Sequence, residues 1–306
     1  MAKKKKKNEN LPEGMSRRQA KLAARAAERA ALEKDPRPFG GLAAESQLVA
    51  LQEFAPSAFA KLDVPGLDRE VYIASVLPGA SAALIRDEEY GGQAFVGLQV
   101  QSRTHNPGRD LAFALNWVKN SQPGQTLAST AADGSEPALK DLVDPAAELD
   151  IEVRQDFSWW IPEGAPVTPD VQQSLQAANA SVIESHEVGK DIHGTAFWAN
   201  AGGGKAHIRW VRPADDENAF LHALARVAAR GELNLGESTK FAGVFRTHDL
   251  VAPVFDLDPE VAHDSYEDAL RCVDAALSEE IANDAQLNAE ERKQLDNLKS
   301  RQVTLR

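Results

Sequence analysis

A small set of cationic and aromatic side chains offers the first chemistry in this sequence. His207 and Arg209 alternate within "KAHIRWVR", and Arg246 and His248 alternate within "FRTHDL", so each pair would project from one face of a strand. If the two strands are neighbours, Arg209, Arg212, Arg246 and His248 form a positive patch. Such a patch suits an anion or a carboxylate, because a guanidinium grips both oxygens of that ligand at once. Trp198 or Trp210 would wall the pocket. The competing arrangement pairs these cations with Glu232, Glu237, Asp249 or Asp256, so that they satisfy a half-buried sheet. Trp160 is a further binding candidate. It falls on the polar side of the alternating segment "IEVRQDFSWWIPEG", where it is either covered by a neighbouring element or exposed to a ligand.

Other chemistries find less support. "NAGGGKAHIRW" invites comparison with a phosphate loop, which needs a glycine-rich turn, a Lys-Ser/Thr pair and a following helix. Here Lys205 precedes Ala206 and a strand, so the glycines read as a hairpin tip. His186 and His193 share a loop with Glu184, Glu187 and Asp191, but nothing in their spacing fixes a metal geometry, and no metal site is assigned. Asp141, Asp144 and Asp150 do not follow a calcium-loop pattern. No nucleophile elbow occurs. Cys272, the single cysteine, lies beside the apolar stripe of its helix and reads as a small core residue. We therefore assign no catalytic residue and no cofactor.

The elements that must position these residues read as α+β, with a mostly antiparallel sheet and flanking helices. "AAESQLVALQEFA" carries an apolar face at helical spacing, and "REVYIASVL" suits a buried strand. In "AFVGLQVQ", Val96, Leu98 and Val100 face one way. "HNPGRDLAFALNWV" places Asn106 as cap and Pro107 as first helical residue, and "VTPDVQQSLQAANASV" repeats the device with Thr168 and Pro169. Residues 120–138 read as a long loop. Residues 151–161 read as the clearest strand of the chain. A hairpin from "TAFWANA" to "KAHIRWVR", a helix closed by Gly231 and the strand pair "KFAGVFRTHDLVAPVFDLD" follow. Pro253 would confine the second strand of that pair to an edge. Two helices close the chain. The second has Asn288 and Glu291 spaced as a capping box. Aligning "ALNWV" with "ALARV" suggests two similar halves, each ordered helix, three strands, helix, strand pair, over residues 42–163 and 168–258.

Charge divides the 306-residue chain differently. Residues 1–37 carry twelve Lys/Arg and five Asp/Glu, a net +7, which leaves 22 Lys/Arg and 41 Asp/Glu, a net −19, on the rest. Lys3, Lys4, Lys5, Lys6 and Lys7 open a stretch without apolar periodicity, expected to be disordered. Beyond it an Ala-rich helix would set Arg17, Lys21, Arg25 and Arg29 in one basic stripe. The expected organisation is a basic arm at 1–37, a first α+β half at 38–163, and a second half with C-terminal helices at 164–306. No apolar stretch follows the lysines and none is long enough to span a bilayer, so a cytoplasmic protein is expected. One cysteine allows no internal disulfide partner.

"RPFGGLAAE", "LVALQEFAPSA", "FSWWIPEG", "LGESTKFAGVFRTHDLVAPVFDL" and the closing "SRQVTLR" together resemble an actinobacterial family catalogued as a domain of unknown function. Longer members of that family carry a short Cys-rich zinc module like the tail of the preprotein translocase ATPase. This chain has no cysteines near its start, so the resemblance implies neither the module nor any catalytic residue. The expected function is that of a non-enzymatic interaction protein, meeting a protein partner, or ribosome or RNA, with help from the basic arm. A pocket protein or enzyme acting near Arg209, Arg246 and His248 is the alternative.

Overall fold

Alternating apolar residues set the strands, and capped amphipathic segments set the helices, in a chain whose computed structural model describes Arg18, Leu22 and residues 35–304. The basic stripe at Arg17, Lys21, Arg25 and Arg29, like Lys3–Lys7, lies outside the described residues. Helix α1 (Glu45–Glu53) is followed by strands β1 (Ala58–Leu62), β2 (Val71–Ala74), β3 (Ala83–Ile85) and β4 (Ala94–Gly97). Helix α2 (Pro107–Asn120), β5 (Thr126–Leu127) and β6 (Ile151–Val153) complete the first half. The second half runs α3 (Pro169–Asn179), β7 (Ser185–Val188), β8 (Thr195–Gly202), β9 (Lys205–Val211), α4 (Glu217–Ala229), β10 (Lys240–Thr247), β11 (Leu250–Leu257), α5 (Glu267–Ile281), α6 (Ala289–Ser300) and β12 (Gln302–Thr304).

The architecture is α+β with two mixed six-stranded sheets, ordered β5-β3-β4-β2-β1-β6 and β12-β10-β11-β9-β8-β7. Pairing is antiparallel except at β2–β4 and β10–β12. One apolar cluster joins α1 and α2 to the first sheet and to Phe197, Val211, Leu250 and Ala252 of the second. The opposite face of the second sheet packs Ile208, Trp210 and Phe255 against α4, α5 and α6. The second sheet is thus covered on both sides. Phe220 and Leu224 of α4 are fully buried there, and each such side chain contributes roughly 1.5–3 kcal/mol. At the corner where the sheets meet, Gln155 Nε2 donates to the Ser185 carbonyl at 2.8 Å, beside edge strands β6 and β7.

Local signals hold where they are strong. Thr168 accepts the Val171 N–H and Pro169 opens α3. Asp216 accepts the Asn218 and Ala219 N–H groups at the start of α4. Asn288 and Glu291 form the reciprocal capping box of α6. Among the described residues, no helix is long and apolar enough to cross a membrane.

Four expectations change. The strand expected over residues 151–161 ends at Val153, and Ser158–Trp160 form a 3-10 turn instead. The turn folds Trp159 back onto Phe59 and Phe95, at ring separations of 4.9 and 6.0 Å, which burial favours over continued pairing. Pro253 sits inside the sheet, because β11 runs between β10 and β9. The ladder to β9 stops at Val254–Arg209 and resumes at the isolated Arg212–Val251 bridge, so the missing proline N–H falls in a gap. Cys272 is exposed, outside the buried stripe of Leu270, Val273 and Leu277. The first half has four strands before its second helix, whereas the second half has the expected three, and β5 lies within the long loop.

Candidate functional site

The four cations of the expected patch do not converge. Strands β9 and β10 are separated by β11, so His207 and Arg209 never meet Arg246. Arg209 faces α1, its Cζ 5.6 Å from the centre of the Phe54 ring, and burial pushes its pKa down. Arg212 lies on the other side of the sheet under α5. There its Nε donates to Asp274 Oδ1 at 3.0 Å and its Nη2 donates to Ser278 Oγ at 2.8 Å. Arg246 bonds Glu217 at the head of α4, with Asp249 at 3.9 Å. His248 occupies the β10–β11 turn at φ 49° and meets Glu53 Oε1 at 2.9 Å. Burial opposes the charge of Glu53, but the hydrogen bond and charge of His248 overcome it and hold this carboxyl below its usual range.

The tryptophans expected to wall that pocket are core residues. Trp210 is fully buried and donates to the His193 carbonyl at 2.8 Å, and Trp198 is buried on the same helix-covered side. His207 Nδ1 lies 2.9 Å from Asp256. The carboxylates in these pairs are Glu53, Glu217, Asp249, Asp256 and Asp274. Glu232 instead joins Arg230. Three of the five therefore lie beyond the partners read from the sequence. Among the described residues no cluster of three or more His, Cys, Asp or Glu is placed to hold a metal ion.

Trp160 belongs to a different construction. Asp156 Oδ1 accepts the Ser158 N–H at 2.9 Å, which starts the 3-10 turn. Trp160 then stacks on Phe157 at 4.2 Å and donates its Nε1 to the Val76 carbonyl at 3.2 Å. Trp159 donates to Ser57 Oγ at 2.9 Å, and its own carbonyl accepts from Arg86 at 2.7 Å. Desolvation lowers the pKa of Arg86, whose Cζ sits 4.6 Å from the Phe95 ring centre. The turn is thus pinned at both tryptophans, with one edge of Trp160 still open.

Helix α3 lies beside this edge. The Phe157 N–H donates to Asn179 Oδ1 at 2.8 Å and ties the helix end to the turn. No residue of α3 is buried. Between helix and turn runs a groove of about 450 Å³, lined mainly by Pro78, Trp160, Ile161, Val171, Leu175 and Ala178. Val171 is 41% exposed, and Val167 and Ile183, which flank the helix, are each 46% exposed. The stripe Val171–Leu175–Ala178 has helical spacing and was readable in "VTPDVQQSLQAA", but its lack of a covering partner was not.

Searches of curated proteins and of solved structures return no match to the chain. The model of a family of unknown function, DUF5926, matches residues 38–306, which is most of the chain and includes both sheets and the groove. The protein is therefore a member of the DUF5926 family.

Proposed function

We propose that this protein is a non-enzymatic interaction protein that receives an apolar segment of a partner protein in the groove between α3 and Trp160. The observation that carries the reading is a helix of eleven residues with none buried, held in place beside an open aromatic edge. Most helices of globular proteins are stabilised by burying an amphipathic face. This one has a Thr-Pro start and a tether at Asn179, and it leaves Val171 in water. Rigid aromatic and aliphatic anchors in a shallow groove are the usual centre of a protein interface. Residues 38–306 carry a net charge of −19, so the segment they attract is flanked by basic residues.

The basic arm plays a separate part in this proposal. Residues 1–37, at net +7, supply long-range attraction to an acidic surface of the same partner, or a weak contact to ribosome or RNA. A photo-crosslinking amino acid at Ser174 tests the groove in cells, with one at the exposed Asn234 as control. A single crosslinked partner specific to Ser174 supports the reading. Equal labelling from both positions overturns it.

A further inference from the structure

A second cavity lies on the far side of the first sheet, away from the groove. Its floor is apolar and buried, made by Leu48, Val64, Leu111, Val143 and Leu149. Its volume is about 570 Å³, within the range of small-molecule sites, roughly 300–1,000 Å³. A polar chamber of about 420 Å³ adjoins it, and Glu148, Leu149 and Asp150 line both. This shared wall is fixed. Gln47 of α1 accepts the Leu149 N–H at 2.7 Å and donates back to the Leu149 carbonyl at 2.5 Å. Behind it, Ser46 and Thr195 share a buried hydroxyl hydrogen bond at 2.9 Å that ties α1 to β8.

The charges around the wall are unbalanced. Lys61 is taken by Glu70 at 2.6 Å, and Lys190 lies 3.4 Å from Asp150. Arg69, also in the lining, has no carboxylate partner among the described residues: it donates to the Ser121 carbonyl at 3.3 Å, and its Nη1 is buried without a partner. Among the described residues, Asp63, Asp68, Asp144 and Glu148 have no ion-pair partner at the rim. In the polar chamber the Glu187 side chain is 14% exposed, and its nearest cation is Lys190 at 4.0 Å. Burial pushes the Glu187 carboxyl above its usual range, and Asp150 adds to the rise against the pull of Lys190. A cation arriving here would meet one carboxylate, Glu187, already stripped of much of its water, beside the exposed Glu148 and Asp150.

We propose that the double cavity binds a small organic amine, its apolar body in the larger chamber and its ammonium or guanidinium head at the Glu148–Asp150 wall. Rim charges select sign more than they add affinity, while the apolar floor supplies most of the attraction. The four unpaired carboxylates outnumber Arg69, the one unpaired guanidinium among the described lining residues, and so disfavour an anionic ligand of the same size. The site shares no residue with the groove, so it stands or falls separately from the proposed partner.

Titration of the full chain with hexylamine, followed by backbone amide NMR, tests the site, with hexanoate as the isosteric anion. Saturable shifts at Val64, Leu111 and Leu149 with hexylamine, and none with hexanoate, are expected. The double substitution Asp144→Asn with Glu148→Gln should weaken hexylamine roughly threefold to tenfold. Ala147→Trp, which fills the larger chamber from its rim, should abolish the shifts. Equal response to both probes, shifts mapping elsewhere, or indifference to these variants overturns the proposal.

Discussion

Arg212 and Asp274 meet at 3.0 Å beneath α5 with only 4% and 8% of their side chains exposed. Asp274 also accepts the His193 N–H at 3.0 Å and lies 2.8 Å from His193 Nδ1, so one carboxylate of α5 joins the residue that follows β9 to the loop before β8. Removing one member of such a pair leaves the other charge buried and alone. Asp274→Ala should therefore cost roughly 3–5 kcal/mol of stability. The double variant with Arg212→Ala should cost clearly less than the sum of the single ones, measured by urea denaturation.

Two carboxylates should give opposite pH signatures. Glu53 is held below its ordinary pKa in the folded chain, so its contribution is present above the unfolded value and is lost as pH falls through the folded one. Glu53→Gln should lower stability at neutral pH and remove that acid limb. Glu187 is held above its ordinary pKa, so folding is favoured while it is protonated and penalised as pH rises through the folded value. Glu187→Gln should stabilise the protein at neutral pH. Thermal melts from pH 3 to 8 distinguish the two, and the same sign of effect at neutral pH for both would refute this assignment.

The entry of the chain onto α2 depends on a glycine. A side-chain carbon at Gly108 would collide with the Pro38 carbonyl oxygen, where the chain crosses the first turn of α2. Asp35 docks nearby, its N–H 2.6 Å from Asn106 Oδ1. Gly108→Ala should cost roughly 1–3 kcal/mol by overpacking and raise amide exchange at residues 35–40.

Cys272 offers a simple check of the α5 register. Its exposure predicts rapid reaction of one thiol per folded chain with an aromatic disulfide reagent. Slow reaction that requires unfolding would place it in the core instead.

What could be read ahead of the structure was local. Thr168-Pro169 and Asn288 with Glu291 announce their helices because the cap and the groups it satisfies lie within three residues of each other. The pairing of charges could not be read. Arg246 finds Glu217 across 29 positions, Arg212 finds Asp274 across 62, and His248 finds Glu53 across 195. The strand expected through Trp159 fails for the same reason, since its alternation reflects a fold back onto Phe59 and Phe95. Pro253 reads as an edge residue until the order of β9, β11 and β10 is known. Trp160 was legible as a binding candidate, but its groove needed the position of α3.

The most direct test of the proposed function is titration of the partner segment, crosslinked at Ser174, against the wild-type chain and Val171→Asp. Val171 is exposed, so the variant should melt with the wild type while it places a charge against the apolar groove. Our account predicts affinity weaker by about tenfold or more in Val171→Asp at an unchanged melting temperature. Equal affinity of the two proteins for that segment would contradict it.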